Sequence, residues 1–366
     1  AYYYDKYIKN PEKYSRDKSK ARADSIEEAE KIKPKLVVLG TGWGGLNLLK
    51  NIDVEKFQVC VISPTNYFVL TPFLHEVAVG ILSATSVSDP LRKYVGRKFD
   101  DIDYIDGRAV SIDHENKTVT YEGRIGKKTI DYDSLVLAVG ATSVAPKNTL
   151  PLSSLADAET IRREIIGAYE KANTMLLNGV SPEETCAAAL RFVVVGGSPE
   201  SSELARKIAA FARHLERHQY RGAAKRGAHA SVQLVEAGSR ARNAYDAKVM
   251  AAMAARYDCD DVERVSAVVH GVDDGRLSVA SPLYDGVTSS GLWSRLRALF
   301  GGGKPITTDL TFSVCIWSAP REPHSFVRDF CRKLGAQHQP HQYAILTDDH
   351  LRVVGTDDVY ALGDCA

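Results

Sequence analysis

The sequence lacks the features that would assign it to a membrane-spanning, zinc-binding or disulfide-stabilised class. None of its apolar runs approaches the length of a transmembrane helix. Its cysteines form no C-x-x-C pair and no metal-binding spacing, which argues against a zinc site or a disulfide framework and favours a reducing compartment. They are Cys60, Cys186, Cys259, Cys315, Cys331 and Cys365. The first ten residues, AYYYDKYIKN, do not have the pattern of a signal peptide.

The charge balance also gives no sign of a broad nucleic-acid-binding surface, because the net charge is only +1. Hydrophobic residues make up 44% of the chain and charged residues 25%, as in an ordinary soluble protein. A chain of 366 residues is long enough for two domains with substantial cores.

A glycine-rich stretch near the start of the chain carries the first functional signal. The apolar run Leu36–Leu39 is followed by Gly40, Gly42 and Gly45 in G-x-G-x-x-G spacing, and a helical pattern begins at Leu46. In a strand–turn–helix unit the first glycine makes the tight turn and the second lets the backbone approach a pyrophosphate. The third lets helix and strand pack closely. The stretch predicts dinucleotide binding; the alternative is a glycine turn that only packs.

Apolar runs further along the chain predict that this unit occurs twice. The run Phe192–Val195 is followed by a glycine turn, a helical pattern, and the strand Ser231–Val235, which ends at Glu236. Two nucleotide-binding units in one chain are a more specific signal than either alone. Predicted elements elsewhere are strands over Phe57–Ile62, Ile130–Ala141, Asp309–Ile316 and Val359–Leu362, a meander over Asp103–Gly123, and a helix over Asp157–Ala172.

Four motifs in order resemble the type II NADH:quinone oxidoreductases, which belong to the flavoproteins with two dinucleotide-binding domains. The resemblance covers about Lys33 to Ala366. Disulfide reductases of the same superfold carry paired cysteines after the first glycine loop, and none is present here. The motifs are GTGWGG at 40–45, SPTNYFVLTPFLHEVAVG at 63–80, YDSLVLAVGA at 132–141 and VYALGDCA at 359–366.

The resemblance implies an α/β fold with two Rossmann-like domains, the second inserted in the first, as in the pyridine nucleotide-disulfide reductases. It implies an N-terminal arm over residues 1–32 and an FAD-binding domain over residues 33–150 and 321–366. An NADH-binding-like domain would cover residues 151–320, with an insertion at 286–305.

The same resemblance implies that NADH passes a hydride to FAD and that the reduced flavin passes electrons to a quinone. Glu203 matches a family glutamate near the nicotinamide, and no metal site is implied. An acid often ends the second strand to bind a ribose; here Ser63 and Pro64 follow, as in eukaryotic members. The implied FAD-binding residues are Gly40, Gly42, Trp43, Gly45, Ser63, Pro64, Thr71, Pro72, Ala138, Gly140, Gly363 and Asp364. The implied NADH-binding residues are Gly196, Gly197 and Glu236.

The second glycine loop departs from the family pattern. Gly196, Ser198 and Ser201 stand at the three glycine positions, so one Cβ lies where the backbone should meet the pyrophosphate and another where helix and strand should touch. Glu200 adds a negative charge beside the phosphate position. Pro320 has no N–H to donate, and it lies in a turn where the family usually has the sequence W-A-A-G. These residues predict that NADH binding is weak or lost.

The sequence therefore leaves two functions open. One is a peripheral NADH dehydrogenase of the mitochondrial inner membrane. The other is a structural subunit of a larger mitochondrial complex, with or without flavin. The tyrosine-rich arm and the amphipathic stretch Leu292–Phe300 would contact other subunits or the membrane surface. The alternatives are a solvated tail and a helix that packs on its own domain.

Overall fold

The computed structural model describes residues 33–236, 262–280, 307–318, 322–341 and 344–366. The predicted N-terminal arm and the stretch Leu292–Phe300 lie outside these residues. The described chain forms two compact units. The first takes residues up to Phe68, Asp89–Ala141 and Pro323–Ala366, and the second takes Val69–Ser88 and Thr142–Glu322. Which unit binds FAD and which binds NADH stays a prediction.

The elements of the described residues are numbered here in chain order. The strands are β1 (Lys35–Leu39), β2 (Gln58–Ser63), β3 (Tyr67–Val69), β4 (Ser88–Pro90), β5 (Ile102–Asp113), β6 (Thr118–Gly123), β7 (Gly126–Asp131), β8 (Ser134–Leu137), β9 (Ala141–Thr142), β10 (Leu150–Pro151), β11 (Arg191–Val195), β12 (Ser231–Glu236), β13 (Val262–Ser266), β14 (Val268–Asp273), β15 (Arg276–Ala280), β16 (Thr307–Thr311), β17 (Val314–Trp317), β18 (Glu322–Pro323) and β19 (Val359–Ala361). The helices are α1 (Trp43–Asn51), α2 (Leu74–Ala78), α3 (Leu91–Val95), α4 (Leu155–Leu177), α5 (Pro182–Ala189), α6 (Pro199–His218), α7 (Arg221–Lys225) and α8 (Ser325–Leu334), with 3₁₀ turns at Thr71–Phe73, Ala84–Ser86 and Gly96–Asp101.

The first unit is built on a seven-stranded sheet in the order β19-β8-β1-β2-β5-β6-β7. The five strands from β19 to β5 are parallel, and β5, β6 and β7 are antiparallel, so the predicted meander is confirmed. In the register of the parallel strands Val37 lies between Cys60 and Leu135. One face of the sheet packs against the apolar side of α8, where Phe330 is buried. This core fixes the carboxyl ends of the parallel strands at one edge.

The second unit contains a five-stranded parallel sheet in the order β10-β17-β11-β12-β13 and a three-stranded antiparallel sheet, β14-β15-β16. The long helix α4 begins with a capping box in which Ser154 and Asp157 satisfy each other's backbone N–H groups. Its apolar face is fully buried at Ile161 and Tyr169. Both units therefore combine a parallel sheet, a glycine turn and a helix, which confirms the predicted α/β class with two Rossmann-like units.

The strand predicted over Asp309–Ile316 is wrong in one respect, because the structure divides it into β16 and β17. The two strands belong to different sheets. Between them the N–H of Phe312 bonds to Gly275 O and the N–H of Ser313 bonds to Arg191 O. Each bond ties the chain to a different sheet, so the regular alternation of polar and apolar residues in DLTFSVCI does not reveal the change of sheet.

The packing of the second unit predicts that two substitutions on α4 change the free energy of unfolding by very different amounts. Ile161 is 0% exposed and Leu177 is 65% exposed. We expect Ile161→Ala to lower the free energy of unfolding by about 2–5 kcal/mol through lost burial and a cavity. Leu177→Ala is the control and should change it by less than about 0.5 kcal/mol. Urea unfolding followed by circular dichroism measures both, and equal losses in the two variants would contradict the described packing.

Candidate functional site

The glycine loop of the first unit lies where three parallel strands end. The N–H of Gly40 bonds to Ile62 O at 2.9 Å, and Gly40 has a φ of +94°. A Cβ on Gly40 would collide with the carbonyl of Ala138, at the end of β8. Gly40 therefore makes the tight turn that the sequence assigns to it, since both its backbone conformation and its surroundings exclude a side chain.

The structure confirms the close packing predicted at Gly45, whereas the role of Gly42 in binding a pyrophosphate stays a prediction. A Cβ on Gly45 would lie far inside van der Waals contact with Gly40 O, so α1 approaches the turn closely only because Gly45 has no side chain. At Gly42, the N-cap of α1, a Cβ would have no described atom within 4 Å. Gly42 has no side chain with which to cap this helix N terminus. The loop thus offers an open position beside the positive end of a helix dipole, which suits a phosphate.

The structure brings the other first-unit candidates to the same edge. Gly140 follows β8 and Gly363 follows β19, with φ values of +63° and +81°. Asp364 is exposed beside Gly363, and a Cβ on Gly44 would meet Leu362 Cδ1 at 2.5 Å, so the segment after β19 lies against α1. Trp43 is 48% exposed and contacts Phe68 edge to face at 4.9 Å between ring centroids.

Ser63 does not lie open to a ligand, although it ends β2 where an acid often binds a ribose. Its side chain is buried, and its Oγ lies 2.8 Å from Thr41 Oγ1 and donates to Thr65 O at 3.1 Å. Tyr104 Oη donates to Ser63 O at 3.0 Å, and burial chiefly raises the pKa of Tyr104 to about 12. Thr41 and Tyr104 are positioning residues that the motif did not reveal. Pro64 is exposed directly after this turn.

Thr71 and Pro72 belong to the second unit, unlike the other residues predicted for FAD. They form the 3₁₀ turn Thr71–Phe73, which leads into α2. Thr71 is half-buried, Pro72 is exposed, and the following Leu74 packs in the core of that unit.

The glycine loop of the second unit is filled by its own serines. A Cβ on Gly196 would collide with Ser318 O and Ser201 Oγ. Ser198 is the N-cap of α6, and its Oγ accepts the N–H of Ser201 at 3.2 Å. Ser201 is fully buried and donates from Oγ to Ser318 O at 3.1 Å. The second loop is therefore held by a network of serine hydroxyls, whereas the first loop is held by close contacts of glycines.

The start of α6 therefore offers an anion fewer backbone N–H groups and a less positive environment than the start of α1. The N–H of Ser201 is already bonded, and Pro199 at the first helical position has no N–H. Glu200 adds a negative charge to the first turn and is exposed. Gly197 lies half-buried in the loop. Ala319 and Pro320, part of the predicted departure, lie outside the described residues.

Glu236 ends β12, where a ribose-binding acid is expected. Its side chain is only 10% exposed, and Oε2 accepts a bond from Arg264 Nη2 at 2.6 Å. Arg264 lies on the adjacent strand β13, in register with Leu234. Sequence reasoning missed Arg264, since only the parallel pairing of β12 and β13 brings it to Glu236.

Glu203 lies one turn into α6 and is held by two cations of the same helix. Its carboxylate lies 2.8 Å from Arg206 Nη1 and 3.8 Å from Lys207 Nζ. Lys207 also lies 2.9 Å from Glu76 Oε1 on α2. Burial lowers the pKa of the neighbouring His75. The glutamate predicted for the nicotinamide region is therefore part of an ordered network of charges.

The described residues were compared with the requirements of a metal site and of a membrane-spanning helix, and they meet neither. They contain no group of three or more His, Cys, Asp or Glu side chains arranged to hold a metal ion. No helix among them is both long enough and apolar enough to cross a membrane.

Residues 34–366 match the family model of the pyridine nucleotide-disulphide oxidoreductases. The chain belongs to this family. It is similar to external alternative NAD(P)H-ubiquinone oxidoreductase B2 of Arabidopsis thaliana mitochondria, with 31% identity over 360 residues covering 94% of this chain and 56% of that protein. It is also similar to mitochondrial external NADH-ubiquinone oxidoreductase 2 of Saccharomyces cerevisiae, with 28% identity over 91% of this chain and 58% of that protein.

Solved structures of this family agree with the two-unit fold. NDH2 of Plasmodium falciparum in complex with NADH matches with a TM-score of 0.77 and 25% identity, over 91% of this chain and 64% of that one. A sulfide:quinone oxidoreductase of Aquifex aeolicus matches with a TM-score of 0.62 and 15% identity, which shows the fold alone. The resemblance to the type II NADH dehydrogenases is confirmed. The chain spans little more than half the length of the curated relatives quoted above.

The close contact between Gly45 and Gly40 predicts that replacing glycine by alanine has opposite effects on stability at two helical positions, Gly45 and Gly167. Gly45→Ala should lower the free energy of unfolding by about 1–3 kcal/mol, because the new methyl group meets a backbone oxygen that cannot move cheaply. Gly167→Ala on α4, where a Cβ meets no described atom within 4 Å, is the control. It should raise stability by about 0.4–1 kcal/mol, since alanine favours the helix. Thermal unfolding measures both, and stabilisation by Gly45→Ala would contradict the close approach.

Proposed function

We propose that this chain is the nucleotide-binding part of a mitochondrial, FAD-dependent NAD(P)H:quinone oxidoreductase that binds nicotinamide nucleotides weakly. The observation that carries the FAD assignment is the open helix N terminus at Gly42, enclosed by the turn at Gly40 and the contact at Gly45. The NAD(P)H-ubiquinone oxidoreductases similar to this chain support the reaction and the compartment. A peripheral place on the inner membrane follows the same resemblance.

The residues of the first unit fit a flavin dinucleotide. The N terminus of α1 would hold the pyrophosphate, since a helix start stabilises negative charge. Asp364, exposed after β19, would bond the ribitol, and Ala138 and Gly140 would line the approach. When bound, the flavin supplies the redox chemistry, by taking up a hydride from the nicotinamide and transferring electrons to a quinone. The protein supplies binding and orientation, which a hydride transfer needs more than an acid or a base.

The second unit keeps the acidic residues of a nicotinamide site and has a modified phosphate loop. Glu203 would orient the nicotinamide end, held in place by Arg206 and Lys207. Ser198 and Ser201 engage each other where a pyrophosphate would approach. Each lost backbone contact costs about 1–2 kcal/mol, so two would weaken NADH binding roughly a hundredfold.

A second candidate function is a structural subunit of a mitochondrial assembly that keeps the fold and has lost turnover. The hydroxyl network of Ser198, Ser201 and Ser318 favours it, because the network satisfies the loop without any ligand. The N-terminal arm and the stretch Leu292–Phe300 would then contact other subunits or a membrane surface. The two functions differ in one measurable property, the reduction of bound flavin by NADH.

Flavin binding should depend on the open position at Gly42. In Gly42→Val a branched side chain would fill the space for the pyrophosphate, so we expect loss of the flavin absorbance near 450 nm from the purified protein. Gly167→Val, an equally unobstructed glycine on α4, is the matched control and should retain the flavin. Purified wild-type protein that stays colourless after incubation with FAD would overturn the flavin assignment.

Nicotinamide binding should improve when the second loop regains its glycines. We expect the double substitution Ser198→Gly and Ser201→Gly to lower the Kd for NADH by roughly tenfold to a hundredfold, measured by anaerobic titration of the flavin absorbance. Ser181→Gly is the control, because Ser181 is likewise an N-cap serine, on α5 of the same unit. Rapid bleaching of wild-type flavin by micromolar NADH would contradict weak binding. An unchanged, undetectable reaction in the double variant would favour the structural subunit.

A further inference from the structure

A row of titratable side chains connects α2 with α6 in the second unit. His75 Nε2 lies 3.6 Å from Glu76 Oε1, and Lys207 Nζ lies 2.9 Å from the same oxygen. On its other side, Lys207 Nζ lies 3.8 Å from Glu203 Oε1, which is beyond hydrogen-bond distance. The side chains of the row are between 14% and 33% exposed, so water screens the interactions among them only in part.

A single oxygen of Glu76 makes both contacts. Glu76 Oε2 is buried and has no hydrogen-bond partner among the described residues. His75 and Lys207 are therefore both directed at Oε1. A neutral imidazole leaves this oxygen to the ammonium group of Lys207. A protonated imidazole attracts the same oxygen and repels the ammonium group, so that the contact of Glu76 with Lys207 weakens.

The surroundings of His75 keep its imidazole neutral at pH 7. Burial is the largest effect and lowers the pKa of His75. Three carboxylates oppose this effect, and one ammonium group adds to it. They are Glu76 on α2, and Glu203, Glu200 and Lys207 on α6. On α4, the guanidinium of Arg162 packs against Gly80, which follows the end of α2. The imidazole therefore gains its proton only on acidification.

We propose that His75 and Glu76 are positioning residues for Glu203, and that protonation of His75 drives Lys207 from Glu76 towards Glu203 and weakens nicotinamide binding. This inference rests on the proposed function, in which Glu203 orients the nicotinamide end. At 3.8 Å, Lys207 holds Glu203 by charge alone. An ammonium group that bonds to Glu203 Oε1 competes with the nicotinamide amide for that oxygen. The affinity is therefore full while His75 is neutral and falls when it is charged.

The first measurement follows His75 in the chain without a nucleotide. NMR of protein with isotope-labelled histidine gives the pKa of His75, and the resonance is identified by its loss in His75→Gln. We expect Glu203→Gln to lower this pKa and Lys207→Met to raise it, because each removes one charge of the row. Lys207→Arg keeps the charge and should leave the pKa of His75 near that of the wild type. A pKa that neither charge-removing variant moves overturns the inference.

The second measurement is the Kd for NAD⁺, which has the same nicotinamide amide as NADH, is stable in acid and does not reduce a flavin. By isothermal titration calorimetry, we expect the wild-type Kd to rise roughly threefold to tenfold from about pH 8 to about pH 5. His75→Gln and Lys207→Met should each abolish the rise, and Lys207→Arg should keep it. In Glu76→Gln the ammonium group loses its carboxylate on α2, so the weaker binding should already be present at about pH 8.

The matched control is His229→Gln, because His229 Nδ1 lies 2.9 Å from Glu216 Oε2 in a second histidine–glutamate pair of the same unit. It should keep the wild-type rise in Kd on acidification. A rise that persists in His75→Gln, or that His229→Gln abolishes equally, overturns the inference. So does a wild-type Kd that does not change with pH, which is the result expected if the row only stabilises the fold.

If His75→Gln does not fold by circular dichroism, the contrast between Lys207→Arg and Lys207→Met decides the question. Failure of the proposed function gives a different result. A wild type that binds NAD⁺ at neither pH, and whose flavin NADH does not reduce, overturns the proposed function, whereas the shifts in the pKa of His75 still report the coupling of the row.

Discussion

The close approach of α1 to the turn after β1 is the constraint on which the first site depends. It exists because Gly45 places no atom between the helix and the carbonyl oxygen of Gly40. The same turn is held by the bond from Gly40 N to Ile62 O, and Ala138 O occupies the space behind it. The N terminus of α1 is thereby fixed at the edge where β8 and β19 also end. The position proposed for a phosphate thus arises from backbone packing and needs no charged side chain.

In the second unit the loop between the first strand and its helix is packed in a different way. Its helix α6 begins with a serine cap, and a second, buried serine stands at the position that Gly45 has in the first unit. The hydroxyl network occupies the N–H group of Ser201, for which the pyrophosphate of the proposed nucleotide would compete. Under the proposed function, stability and nucleotide affinity are therefore opposed at Ser198 and Ser201, whereas at Gly42 they are not.

The carboxylates of the second unit are also satisfied by the protein itself. Glu203 is paired with Arg206 and Lys207, and Glu236 is paired with Arg264. Removing Arg264 would leave the largely buried carboxylate of Glu236 without this cation, which costs more than the pair contributes. The cations therefore have a structural role in the second unit.

The amino-acid sequence by itself determined the parts that depend on local spacing. The turn at Gly40, the close packing at Gly45 and the meander all followed from short motifs and periodicity, because these depend on residues a few positions apart. Tertiary structure alone decided that the predicted strand at 309–316 changes sheet, that Ser63 is buried against Thr41, and that Arg264 reaches Glu236. The reason is that these contacts join residues distant in the chain. The pairing of strands that are far apart in the chain brings them together, and spacing over a few residues does not specify which strands pair.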